Sequence, residues 1–454
     1  MTLHPLGDAV NAINQADTSW MLISTALVLL MTPALAFFYG GLVRAKNTLN
    51  TMMMSFVALG FVGIAWALLG YSLAFSNWAG SPGIDSWIGS FANVLLRGVG
   101  LEAHGTIPHV VFMGYQATFA IITAALISGS IVERMRFGPY IAFITLWCLV
   151  VYAPIAHWVW GGGWLAKLGA LDFAGGTVVH VNAAVAAMVV AVALGPRKDY
   201  ARQALVPHDV PYTLLGAGLL WFGWFGFNGG SALASNASAG LAFTNTMLAP
   251  AATLVVWTLL DFYRSGKATA VGAATAIVVG LVAVTPAAGF VSPMGAMILG
   301  GVSAVPSYFT LVYRARTRLD DSLDVLAAHG VGGTTGALLT GVLAQKSWNG
   351  VADGALFGNL PQLGIQAVAV LATIVYCGAG TWVIVKALAA VTALRATPKE
   401  EGLGLDVTQH GEEAYSRLEG AILVQERPAA GAAAGAVVKS PIFADERIVG
   451  GAAI

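Results

Sequence analysis

Apolar stretches free of charge recur along the chain from Thr18 to Arg314 and again near its carboxyl end, each set off by a short polar connection. At about 1.5 Å of rise per residue, most are long enough to cross the roughly 30 Å of a bilayer's hydrocarbon. They fall at approximately 18–40, 50–75, 108–130, 138–158, 174–195, 211–230, 241–261, 270–287, 293–313, 325–344 and 364–393. The pattern predicts an all-α membrane protein of eleven transmembrane helices, with Gly/Pro-rich segments such as Pro286–Pro293 the weakest separators.

Composition supports this: 57% of the residues are apolar and only 10% are charged, against about 25% charged in soluble domains. The 55 glycines suit helices whose backbones approach closely. Cys148 and Cys377 both lie in apolar runs and read as packing residues. The 22 basic and 22 acidic residues cancel, so only their placement informs. Arg44, Lys46, Arg134, Arg136, Arg197, Lys198, Arg202, Arg264, Lys267, Arg314, Arg316 and Arg318 occupy every second connection. The alternate connections hold only Arg97, Lys167 and Lys346. Cytoplasmic loops carry the Lys/Arg excess, so the amino terminus is expected outside and the carboxyl terminus inside.

Residues 1–17 form a polar segment with no basic region ahead of an apolar stretch, so the first span reads as retained. The membrane-spanning body is placed at 18–395. Residues 396–454 read as a cytoplasmic tail, partly disordered, with an Ala/Gly-rich stretch at Ala429–Ala436.

Two stretches repeat one pattern. Asp172 precedes His180 by eight residues, and Asp321 precedes His329 by eight, each pair leading into a small-residue run. Spans one to five and six to ten (about 18–200 and 207–345) then overlay in opposite membrane orientation, with the eleventh outside the repeat. Such inverted repeats place their working groups at the repeat interface. A titratable side chain held in hydrocarbon is a functional-site hypothesis by default. If His180 and His329 meet there, two neutral rings can share one hydrogen and line an apolar pore. The plainer reading is a pair of hydrogen-bonded core histidines joining helices. Asp172 and Asp321 sit just ahead of helix starts, where a carboxylate caps backbone N–H groups; supporting a nearby cation is compatible with that.

Aromatic residues crowd the expected outer ends. Phe112, Tyr115 and Phe119 share one helical face by steps of three and four. Trp158 and Trp160 precede Gly161–Gly163, and Trp221 to Ser231 form a third group that includes Phe227. Rings of this kind attract a small cation, by about 2 kcal/mol or more when desolvated. The alternative is an interfacial aromatic belt, which suits Trp158 and Trp221 better; Trp160, Phe119, Phe227 and Ser231 fit either. Asn182, Asn228 and Asn245-Thr246 read as interhelical hydrogen bonds.

Other chemistries lack their residues. The remaining histidines, including His104 and His109 beside the third span and His157 near the fourth, form no ligand cluster, so no metal site or membrane metallohydrolase is expected. No P-loop, nucleotide-binding element or other cofactor motif stands in the chain, and no basic patch suits nucleic acid. A membrane enzyme would need a polar catalytic cluster that is not visible.

Several blocks resemble the ammonium transporter (Amt/Rh-type) family over roughly 17–416. They are Phe38-Tyr39-Gly40-Gly41-Leu42-Val43-Arg44, Phe119-Ala120-Ile121-Ile122-Thr123, Ile155-Ala156-His157-Trp158-Val159-Trp160, Asp172-Phe173-Ala174-Gly175-Gly176-Thr177-Val178-Val179-His180, Gly223-Trp224-Phe225-Gly226-Phe227-Asn228 and Gly404-Leu405-Asp406-Val407-Thr408-Gln409-His410-Gly411. The resemblance is to the bacterial members. It implies an eleven-span protomer with its own pore, assembled as a homotrimer in the inner membrane. It implies external ammonium recruitment by Phe119, Trp160 and Ser231, with Asp172 as a buried supporting acid. Phe119 and Phe227 correspond to a stacked gate, and His180 and His329 to the twin pore histidines. Tyr115 stands where bacterial members often carry phenylalanine, as an accessory aromatic. Ammonium would be deprotonated near the gate, ammonia would cross the pore, and a proton would cross separately. A P-II-type nitrogen regulatory protein is the implied partner at the cytoplasmic face. An Rh-type ammonia/carbon dioxide channel and an ammonium sensor are the alternatives within this resemblance.

Overall fold

Caps, more than hydropathy, decide where the helices begin. The computed structural model describes residues 13–415. Asn14 accepts from the N–H groups of Ala16 and Asp17 and so starts α1, Gln15–Leu42. The following apolar helices are α2 Ala45–Phe75, α3 His109–Ser130, α4 Phe137–Leu168, α5 Gly176–Leu194, α6 Val210–Gly230, α7 Ala237–Ser265, α8 Ala270–Val284, α9 Pro293–Arg314, α10 Leu326–Leu343 and α11 Leu360–Val391. The eleven expected spans are all present among the described residues. α7 begins four residues earlier than hydropathy predicts because the Asn236 side chain caps Ala239 N at 3.0 Å. α11 starts at Leu360 with proline in its first turn, where a missing N–H costs nothing.

α8 has only 15 residues. From Ala274 to Val284 all but Ile277 are buried; a helix apolar on every side belongs inside a bundle. α1 packs along α6, and the openings of α5 and α10 pack on each other, the pairings a two-fold internal repeat requires. Small residues allow the first contact: a Cβ on Gly216 of α6 would stand 2.3 Å from Phe38 N of α1. The repeat is local as well. α5 and α10 both open with a wide π-helical turn, Gly176–Val181 and Leu326–Val331, and in each the acid eight residues before the histidine caps the turn.

One departure from an all-helical chain lies between α2 and α3, where β1 (Ala103–His104) and β2 (Ile107–Pro108) form a minimal antiparallel hairpin. It sits at the aromatic end of the bundle. At the opposite, basic end, several of the cations used above to orient the chain are buried in ion pairs. Glu133 accepts from Arg44 Nε at 3.0 Å, Asn47 Nδ2 at 2.9 Å and Arg197 Nη1 at 2.7 Å. Arg197 also clasps Asp320, and Arg134 donates to the Asp320 carbonyl at 2.7 Å. The network joins the connections after α1, α3, α5 and α9.

The segment after α11 does not hang free from residue 396. A capping box at Thr397 and Glu400 sets α12, Pro398–Leu403. Asp406 then accepts from Leu49 N at 3.1 Å and Asn50 N at 2.8 Å, capping the basic end of α2. The compact unit continues to Ala414, so the first part of the expected tail packs with the helical body. The readings made for residues 1–12 and 416–454, including Ala429–Ala436, lie outside the described residues.

Candidate functional site

The spacing of three and four along α3 brings Phe112, Tyr115 and Phe119 to one wall of a cavity of about 460 Å³ at the aromatic end. Trp160, Phe173 and Ser231 complete much of its lining. Trp160 sits where α4 breaks at Trp160–Gly163, and its Nε1 donates to the Asp172 carbonyl at 2.9 Å. That bond holds the indole edge-on to Phe119, at 5.9 Å and 90°. Ser231 closes α6 and donates its hydroxyl hydrogen to Phe227 O at 2.8 Å. Its oxygen is therefore left as an acceptor. Tyr115 Oη lies 2.9 Å from Phe227 O and 3.3 Å from Ser231 Oγ, tying α3 to the end of α6.

Asp172 does not border this cavity. Its carboxylate accepts from Gly175 N and Thr177 N at 2.8 Å, Gly176 N at 2.6 Å and Val178 N at 3.3 Å, and from the Thr177 hydroxyl. Burial raises this carboxyl above its usual range, and the donors offset only part of that rise. Of the two readings given above, the geometry is that of a cap; through Trp160 it positions the cavity wall. Asp321 repeats the arrangement at the start of α10, accepting from Val325 N, Leu326 N and the Ser130 hydroxyl.

The cavity floor is a stacked pair, Phe119 and Phe227, with centroids 4.2 Å apart and planes at 27°. Both are about 1% exposed. Next to Phe227 the His180 ring follows at 6.1 Å between centroids with planes at 26°, and Trp224 stacks on the same imidazole at 5.4 Å. His180 Nδ1 and His329 Nδ1 are 3.2 Å apart, within hydrogen-bond reach, so one ring donates and the other accepts. The other nitrogen of His180, Nε2, is buried with no partner. Around His329 a void of only about 10 Å³ is lined by apolar side chains such as Leu35, Ile122 and Val278. That is at the lower limit for one water molecule, which needs about 10–15 Å³. Beyond it opens a second cavity of about 300 Å³ at the basic end, bordered by His329, Arg44, Glu133, Arg197 and Asp324. Arg197 and Arg44 outweigh the effect of burial and hold Glu133 down at about 2.

The structure thus stacks two partly polar cavities on either side of a ring gate and an imidazole pair set among apolar side chains.

Two expectations change. Trp158 is not a belt residue: it is buried against Trp87, Trp164 and Tyr376 and donates to Trp87 O at 2.7 Å. Asn182 donates within its own helix, to Val178 O, whereas Asn228 and Asn245 do join separate elements. His104 and His109 flank α3 as expected, their rings stack at 5.0 Å, and His104 borders the aromatic cavity. Sequence reasoning gave no task to Trp224 or Gln116. Their signal was present in the spacing, three before Phe227 and three before Phe119.

A sequence model of the Ammonium Transporter Family matches residues 19–415. The chain is 47% identical over 408 residues to an ammonium transporter of Bacillus subtilis, covering 89% of this chain and 99% of that protein. It is 44% identical to the ammonium transporter Amt1 of Archaeoglobus fulgidus, covering 89% of this chain and all of that one. Among solved structures, Saccharomyces cerevisiae Mep2 superposes with a TM-score of 0.80 at 33% identity, over 86% of this chain and 89% of that one. A structure described as Sensor Amt Protein gives 0.81 at 30% identity, over 89% and 99%. With its multi-pass helical body and a profile match over nearly the whole described length, the chain belongs to the ammonium transporter family.

Proposed function

We propose that the protein carries ammonium across the cell's inner membrane by taking it up as a cation and passing it on as ammonia. The cation collects in the aromatic-end cavity, against the faces of Phe119 and Trp160 and the acceptor oxygen of Ser231. At the Phe119–Phe227 gate it gives a proton to water of the aromatic-end cavity, because the narrow void beyond is lined by no carboxylate among the described residues and cation–π attraction ends. Ammonia then exchanges hydrogen bonds along His180 and His329 and emerges into the basic-end cavity, where water is again available. The proton crosses separately, so net charge moves. Asp172 acts by holding the opening turn of α5 and, through its carbonyl, the Trp160 indole.

In this reading the aromatic end faces outward, the carboxyl-terminal segment lies in the cytoplasm, and three copies assemble, each with its own path. A P-II-type nitrogen regulatory protein is the partner expected at the basic end. The observation that carries the proposal is the direct stacking of the ring gate on the histidine pair, with a cavity at either end.

Current recorded from purified protein in liposomes after an ammonium jump tests it, with potassium and methylammonium as comparisons. A transported charge with ammonium and none with potassium is expected. A pH change inside the liposomes without current would favour the neutral gas channel. Neither signal from correctly inserted protein would remove transport and favour a sensor.

A further inference from the structure

Gln116 is a polar residue on the cavity-facing side of α3, and the path described above does not use it. Phe112, Gln116 and Phe119 follow one another at steps of four and three, so the side chain borders the same aromatic-end cavity as Phe119, Trp160 and Ser231. It is only 8% exposed. Among the described residues its carboxamide makes no hydrogen bond, and neither its oxygen nor its nitrogen is among the atoms sealed away from the cavity. The other two buried glutamines among the described residues find protein partners: Gln366 donates to Leu171 O at 2.7 Å and Gln362 to Gly169 O at 3.0 Å. A buried amide without protein partners asks for an explanation; one that also reaches a cavity is a ligand group.

We propose that Gln116 is a direct ligand of the transported cation, its amide oxygen accepting one N–H of ammonium while Ser231 Oγ accepts another. The inference rests on the ammonium reading of the cavity and adds a second oxygen to it. Ammonium carries four N–H groups in tetrahedral directions. Two oxygens and two ring faces, Phe119 and Trp160 held at 90° to each other, supply four acceptors on one side of a cavity. Ser231 is already oriented as an acceptor because its hydrogen goes to Phe227 O. The Gln116 amide is unconstrained and turns its oxygen inward when a cation arrives, leaving its NH₂ to cavity water. Because no protein bond depends on it, replacing it should cost binding and not folding.

The test is ammonium-driven current from the full-length protein in liposomes, with wild type, Gln116→Leu and Gln116→Met, which removes the oxygen at similar length. Each variant should raise the ammonium concentration for half-maximal current about tenfold, equivalent to about 1.4 kcal/mol. Maximal current per inserted protein should change little, and the melting temperature in detergent should hold or rise. Gln116→Glu should move the half-maximal concentration the other way, most at low ionic strength. An unchanged half-maximal concentration in the Leu and Met variants would overturn the proposal, as would a lowered melting temperature with unchanged concentration dependence, which assigns Gln116 to packing. Absence of current from wild type is a separate outcome, since it removes the ammonium reading itself.

Discussion

His180 and His329 are 149 residues apart in sequence and meet at 3.2 Å between their Nδ1 atoms. Each arrives by the same device: a carboxylate eight residues earlier caps a π-helical turn, and the turn delivers the ring to the repeat interface. Two copies of one local solution, brought together by the fold, thus build a pair that neither half could make alone.

That geometry separates a transport role from a packing role. Replacing both rings by Ala removes the hydrogen-bonding surface from the apolar section and leaves a cavity where they stood. Large-to-small changes of this kind cost about 2–5 kcal/mol in a core. The expected result is assembled protein of normal size in detergent, somewhat less stable, whose ammonium transport is strongly impaired or no longer selective. Loss of folded protein in size-exclusion chromatography would instead identify the pair as a structural joint.

Asp172 and Ser231 should differ in severity. The carboxylate accepts four backbone N–H groups and one hydroxyl, and its carbonyl aligns Trp160. Ser231 supplies a single acceptor to the cavity. Asp172→Ala is expected to abolish methylammonium uptake and to cost at least about 2 kcal/mol in stability, since charge-assisted bonds are lost and buried donors stranded. Ser231→Ala should retain a measurable fraction of uptake. Wild-type uptake by Asp172→Ala would rule out the supporting role.

Much of the architecture could be read from residues. Eleven apolar runs gave the helices because, in hydrocarbon, a backbone must satisfy itself and a helix of sufficient length does so. The repeated acid–histidine spacing pointed to both capped turns and to the pair between them. Other features depended on contacts that spacing does not encode. Asp406 capping α2 spans more than 350 residues, and Trp224 stacks on His180 from a separate helix. Trp158 looked interfacial because hydropathy does not report that Trp87 and Tyr376 fold over it. The loop cations read as topology markers, yet Arg134 and Arg197 are buried partners of Glu133 and Asp320.

Close helix contact makes a second class of residue intolerant. An added Cβ at Gly216 would lie 2.3 Å from Phe38 N and 2.6 Å from Phe38 Cα, so backbone, not a flexible side chain, must move. Gly216→Ala is expected to part α1 from α6 and lower the detergent melting temperature, with overpacking costs of about 1–3 kcal/mol. Gly218, two residues on, meets nothing within 4 Å. Ala there should be neutral, and equal effects at both sites would refute the contact argument.

The buried ion pairs of the basic end predict an acid limit to stability. Glu133 is 1% exposed and bridges Arg197, Arg44 and Asn47. Burial alone would raise its pKa, but the two guanidinium groups win and hold it at about 2, below the ordinary 4.5. A depressed carboxylate pKa stabilises the folded state fully above the unfolded value and progressively less as pH falls through the folded one. The contribution of Glu133 should therefore be intact above about pH 4.5 and fade toward pH 2. Glu133→Ala should cost about 3–5 kcal/mol at neutral pH, because buried Arg197 and half-buried Arg44 lose their shared partner. Melting curves of both proteins across that range should converge at the acid end, where the wild-type group is itself protonated. Parallel curves, with the difference maintained at the lowest pH, would mean that Glu133 acts through packing and not through charge.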